Sequence, residues 1–217
     1  MRFRLLGFVL GLGLVTTVCG ATLGGRWTLF DEGAEVVQTG TKPKTWAFEL
    51  TSSESEGIIG GGIQFDQLND PKFKKLTELS ADYRALVGGV GGGSPRFAIG
   101  LDLNGDGVFE QAADGSGPDG NVFVYFGPVN NGFHEPTSNV WQNTGNLITA
   151  TDNRWDCNQV GSSRYYDDYA TALSLVGNKR IMYIYLVIDS GWMFDEQVVQ
   201  VNNVTVNNST LVAKKPQ

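Results

Sequence analysis

The stretch Arg96-Phe97-Ala98-Ile99-Gly100-Leu101-Asp102-Leu103 alternates with a period of two. Phe97, Ile99, Leu101 and Leu103 fall on one side, and Arg96, Ala98, Gly100 and Asp102 on the other. Successive side chains of a strand point to opposite faces, so this is a β-strand with one apolar face. Two other runs are apolar on both sides. In Ile181 to Ile188, Met182, Ile184, Leu186 and Ile188 oppose Ile181, Tyr183, Tyr185 and Val187, and Val122 to Phe126 behaves alike. A strand apolar on both faces is central in its sheet and covered twice. The spacing therefore predicts strands 121–127 and 180–188 as central strands.

Shorter β-like runs surround these. Arg26 to Phe30, Glu35 to Gln38, Thr45 to Leu50 and Gly57 to Phe65 precede them, divided by glycines and polar turns. Phe73 to Leu86 fits either period, and the strand reading agrees with its neighbours. In Gln197 to Val206, Val199 and Val201 share one parity and Val204 and Val206 the other, which predicts a β-bulge at Asn202-Asn203. One helix is expected over about 166–176, with Asp167 and Asp168 in its first turn, a stripe of Tyr169, Leu173 and Val176, and Gly177 as its stop. About nine strands and one helix predict an all-β fold, an antiparallel two-sheet jelly-roll-like sandwich. Most connections are too short for parallel crossovers.

Strand 96–103 runs into Asp102-Leu103-Asn104-Gly105-Asp106-Gly107-Val108-Phe109-Glu110, the start of a calcium loop. Alternate side chains at its first, third and fifth positions converge oxygens on a hard cation. Glycine at the sixth allows the sharp turn, and the seventh contributes a carbonyl. Asp102, Asn104, Asp106, Val108 and Glu110 are the expected ligands, with Asp114 or Asp119 closing the shell. The twelfth position is Ala113, so the loop is not a complete EF-hand. A long polar hairpin built on Asx turns is the alternative, because the same residues dominate ordinary turns.

If strands 121–127 and 180–188 flank strand 96–103, the small residues Ala98 and Gly100 leave room for a trough beside Phe123, Tyr125, Tyr183 and Tyr185; the favoured reading is that the helix covers this face and the rings are core. Aromatic rings with polar tips suit sugars, which offer C–H faces and hydroxyls. Loops carry binding residues more often than strand interiors, which adds Trp141, Trp155, Tyr165 and Trp192. The ligand-binding candidates are thus Tyr125, Tyr185, Trp141, Trp155 and Tyr165.

The runs Gly92-Gly93-Ser94-Pro95-Arg96-Phe97, Asn121 to Pro128, Trp141-Gln142-Asn143-Thr144-Gly145-Asn146-Leu147, Tyr166-Asp167 with Tyr169, and Val201 to Val206 resemble a set of uncharacterised secreted microbial β-sandwich proteins. Their general look is similar to jelly-roll carbohydrate-binding modules. The resemblance spans roughly residues 27–207. It implies the sandwich, of a kind that often holds a structural calcium, and it carries over no activity and no ligand residue.

Met1-Arg2-Phe3-Arg4, an uncharged stretch from Leu5 to Val18 and then Cys19-Gly20-Ala21 predict a secretory signal peptide at 1–21. A lipoprotein signal acylated at Cys19 is the alternative. The domain is expected over 22–210, with a short polar tail at 211–217. Losing Arg2 and Arg4 and no acid takes the net charge from −7 to −9. An acidic chain without a basic stripe excludes nucleic acid as a partner, and no membrane contact is expected after cleavage. The expected partner is a polysaccharide or cell-surface glycan. Self-assembly into an extracellular matrix, through sheet edges or Cys157, is the alternative. If the host glycosylates secreted proteins, Asn203, Asn207 and Asn208 are acceptors.

Catalysis has little support. His134 is the single histidine, and no G-x-S-x-G elbow occurs. A carboxylate pair for glycoside cleavage is recognised only in space, which leaves Asp66, Asp70, Asp189, Asp195 and Glu196 unranked. A non-catalytic binding module is expected.

Overall fold

The computed structural model describes residues 26–66, 68, 71–112, 115–127, 139–189 and 195–216. The expected signal peptide and Asp70, Asp114, His134 and Trp192 lie outside them. The described residues form twelve strands: β1 (Trp27–Phe30), β2 (Ala34–Gln38), β3 (Trp46–Ser53), β4 (Gly60–Phe65), β5 (Leu79–Val87), β6 (Arg96–Asp102), β7 (Gly120–Tyr125), β8 (Gln142–Asn143), β9 (Trp155–Asp156), β10 (Arg180–Asp189), β11 (Glu196–Val206) and β12 (Ser209–Leu211). One α-helix, α1 (Tyr169–Val176), lies between β9 and β10.

The strands make two antiparallel sheets. The first runs β1-β4-β10-β6-β7-β9; the second runs β2-β3-β11-β5-β8, with β12 continuing beside β11. β6 lies between β10 and β7. Its register sets Leu186 against Phe97 against Val124, and Ile184 against Ile99 against Val122. These side chains face Phe48, Leu50, Val199 and Val201 of the second sheet in one core. Burying such a side chain contributes about 1.5–3 kcal/mol, which fixes the register, since a one-residue slip would turn every apolar group outward.

Two irregularities keep the parity. The register shifts between Ile181 and Tyr183, so Ile181 is buried with Ile184, Leu186 and Ile188 while Met182 is half-buried. The bulge expected in β11 is present. The pairing with β5 shifts between Asn202 and Thr205, and Asn203 takes a positive φ of 47°. Val199, Val201, Val204 and Val206 are all buried as a result.

Three expectations change. The ambiguous stretch 73–86 opens with a 3-10 turn at Phe73–Lys75 and becomes strand only from Leu79. The helix begins at Tyr169 rather than 166, because Asp168 is its N-cap, extended at φ −102° and accepting the Thr171 amide at 2.8 Å. Its inward face is Tyr169, Ala172 and Val176, while Leu173 is 39% exposed. The expected tail starts later too, since Leu211 ends β12 and Ala213 is buried in the core.

Candidate functional site

The loop after β6 is built on side-chain oxygens that accept backbone amides. Asp102 is nearly buried, and its two oxygens accept from Gly105 at 2.5 Å and Gly107 at 3.0 Å. Asn104 accepts from Asp106 at 3.0 Å, and Asp106 accepts from Val108 at 2.8 Å. Gly105 and Gly107 have φ of +87° and +83°, conformations that L side chains rarely adopt. The Val108 amide and then the Asn104 amide group hold the Asp106 carboxyl below its ordinary range. Asp119 closes the loop from beneath. It is 2% exposed, and its oxygens accept Leu103 and Glu110 amides at 2.8 Å each.

Of the expected ligands, Asp102, Asn104, Asp106 and Val108 share one turn, Glu110 points to solvent, and Asp119 is a brace between the loop's two ends. Beside the turn is an open depression of about 410 Å³ lined by Asp102, Asp106, the two glycines, Asn178, Lys179 and Arg180. Lys179 donates to the Leu103 carbonyl at 2.5 Å. Among the described residues, no three His, Cys, Asp or Glu side chains gather as a metal set. The donors are nonetheless hard oxygens, the chemistry that calcium takes, and an oxygen that accepts one amide retains a further lone pair.

The outer face of the first sheet is covered over Ala98 and Gly100, by rings rather than by the helix. Tyr183 lies over Gly100, so close that a Cβ there would meet its ring at 2.2 Å. The Tyr183 hydroxyl donates to Asn121 at 2.6 Å, and Tyr185 stacks on the ring at a centroid distance of 4.3 Å. Phe30 and Phe109 close the two ends of the pair. The helix does not provide this cover, since its contacts run through Tyr169 to Phe73 and Trp155 at the core. Tyr125 is buried and donates to Asp156 at 2.7 Å. Burial is the main cause that raises the Asp156 carboxyl above its ordinary range. Tyr185 remains half-buried in the stack, with its outer edge toward solvent.

The outer face of the second sheet differs in kind. Glu35, Glu49, Gln200 and Arg84 stand in one row across β2, β3, β11 and β5. Gln200 donates to Glu49 at 2.7 Å, and Arg84 Nε donates to Gln200 at 2.7 Å. The Arg84 guanidinium lies 5.0 Å from the centre of the Trp141 ring, which is 38% exposed. One row along, Asp82 receives the amide groups of Asn143 at 2.6 Å and Asn203 at 2.5 Å. An exposed indole thus sits beside a row of fixed donors and acceptors. Period-two patterning treats Glu49, Arg84 and Gln200 as separate solvent-facing positions; only the cross-strand register joins them. A hint was present in Gln200, an amide flanked by Val199 and Val201.

The remaining candidates separate. Trp155 is not a surface ring: it is fully buried, packs on Phe73 and donates from its indole to the Leu147 carbonyl at 3.1 Å. It pairs with Val124 across the sheet and with Asp167 in an isolated bridge, which draws its polar segment inward. Tyr165 is exposed, outside both networks. Asn203 and Asn208 are exposed, while Asn207 is half-buried and accepts from Thr77 and Glu78. Asp189 forms a two-pronged pair with Arg96 at 2.5 and 2.7 Å, and Asp66 accepts from Thr28. Cys157 is buried, and its thiol is pushed up to about 12, chiefly by that burial. No described helix is long and apolar enough to cross a membrane.

Compared with known proteins, the chain matches no family model, no curated protein and no solved structure.

Proposed function

We propose that this chain is an extracellular, non-catalytic module that binds a polysaccharide on the outer face of its second sheet. The observation that carries the proposal is the exposed Trp141 ring held on Arg84, beside the Gln200–Glu49 and Asp82–Asn143–Asn203 bonds. An indole face stacks on a pyranose ring, and immobilised amides, carboxylates and guanidinium N–H groups match its hydroxyls. A network already ordered in the free protein has less side-chain freedom to lose on binding. The test is retention on a panel of insoluble polysaccharides. Trp141→Ala should abolish retention at an unchanged melting temperature. If the native protein is retained on none of them, the proposal is wrong.

We assign calcium to the loop after β6, with Asp102, Asn104, Asp106 and the Val108 carbonyl as its ligands. The ion would fix the turn and play no part in chemistry. Titration calorimetry should give a saturable heat with calcium, and a chelator should lower the melting temperature. No heat and no shift would leave a loop held by its Asx turns alone.

A further inference from the structure

Among the described residues, Arg84 has no acid partner. Glu35, Glu49 and Asp82 stand nearest it in the register, and none of them pairs with it. Glu49 accepts from Gln200, Asp82 is taken by Asn143 and Asn203, and Glu35 lies beyond Glu49 in the register. The ion pairs found among the described residues are Arg96–Asp189 and Arg154–Asp152. The hydrogen bond described for Arg84 uses Nε alone, so both terminal nitrogens of the fork remain for an outside acceptor. The side chain is nonetheless held on two sides, by Gln200 and by the Trp141 ring. Gln200 is itself 5% exposed and tied to Glu49. In a chain of net charge −7, this guanidinium is held in place and half-buried with no acid partner among the described residues.

We propose, on the basis of the glycan-binding reading above, that the ligand is a uronic-acid polysaccharide whose carboxylate seats on Arg84 while Trp141 stacks on the sugar ring. A planar guanidinium fork matches a planar carboxylate with two parallel bonds, a geometry that a lysine cannot copy. The acidic net charge opposes a polyanion at long range. Exposed charges are screened beyond about 8 Å at physiological salt, so the local fork decides the contact.

The test is affinity electrophoresis of the native chain at physiological salt. The gels contain polygalacturonate, its methyl ester, alginate, hydroxyethylcellulose or a sulfated galactan without uronate. Polygalacturonate or alginate should retard the protein, and the methyl ester should not, because it keeps the ring and loses the charge. Arg84→Gln should weaken uronate binding about 10- to 100-fold, the worth of a charge-assisted bidentate pair. Arg84→Lys should restore only part of it, and thermal melts of both variants separate lost contact from lost fold. Equal binding of the ester or of hydroxyethylcellulose, equal binding of the sulfated galactan, or an unaffected folded Arg84→Gln would overturn the uronate assignment and leave glycan binding standing. Retardation by no polysaccharide would overturn both.

Discussion

Asp119 offers the sharpest test of how the loop after β6 is held. Its two oxygens receive the Leu103 and Glu110 amides at 2.8 Å each, and the side chain is 2% exposed. Asp119→Ala removes both acceptors and leaves two half-buried donors facing a cavity that one water fills poorly. A hydrogen bond to a charged group contributes about 1.5–3 kcal/mol; with partial re-solvation of the donors, the pair is worth about 2–4 kcal/mol. A domain of this size loses roughly 2–4 °C of melting temperature per kcal/mol, so a fall of about 5–15 °C is expected. Asp119→Asn keeps one acceptor oxygen and should cost about half as much. Circular dichroism melts, run in calcium and again in chelator, read the effect. As a brace, Asp119 destabilises on removal equally in both buffers. A loss of under about 2 °C would refute the brace. A loss seen only in calcium would instead make Asp119 a metal ligand.

Three further outcomes are expected. Burial raises the Asp156 carboxyl, so the folded chain binds that proton more tightly than the unfolded one. Its contribution is complete below the ordinary value of 3.8 and is lost as pH rises through the folded value. Asp156→Asn should therefore flatten the fall in urea midpoint with rising pH above 3.8, and an unchanged slope would be inconsistent with this. Cys157, buried and with its thiol near 12, should resist iodoacetamide at pH ~8 until urea unfolds the chain, because the thiolate is the nucleophile; rapid labelling of the native protein would contradict its burial. Gly100→Ala should push the Tyr183 ring off β6 and break its bond to Asn121, costing about 1–3 kcal/mol and altering the near-ultraviolet dichroism. A variant as stable as the parent would show that the ring has room.

The inner strands around β6 were legible as inner because burial on both faces leaves no polar positions, and the runs at 122–126 and 181–188 have almost none. The bulge in β11 was legible for a related reason, since a change of apolar parity has few structural remedies. The cover over Ala98 and Gly100 was expected from the helix and comes from rings instead, because a small residue says only that space exists. It does not say that a cross-strand tyrosine will fill it. Trp155 was misplaced because its polar neighbours describe the local segment, whereas its burial comes from pairing with β7. Asp168 was taken for a first-turn residue, one step from the cap that it is. The Arg84–Gln200–Glu49 row was invisible, because residues far apart in the chain meet only once the register of three strands is known.

β10 and β11 follow each other in the chain, and each is the middle of a sheet. β10 joins β4 to β6, and β11 joins β3 to β5. Without them the first layer falls into a β1–β4 pair and a β6–β7–β9 piece, and the second into β2–β3 and β5–β8. A nascent chain that has released everything before residue 180 therefore holds four fragments with raw edges and no finished layer. Neither layer can close until both β10 and β11 have been made. A chain still lacking them stays threadable, which suits the export proposed for it.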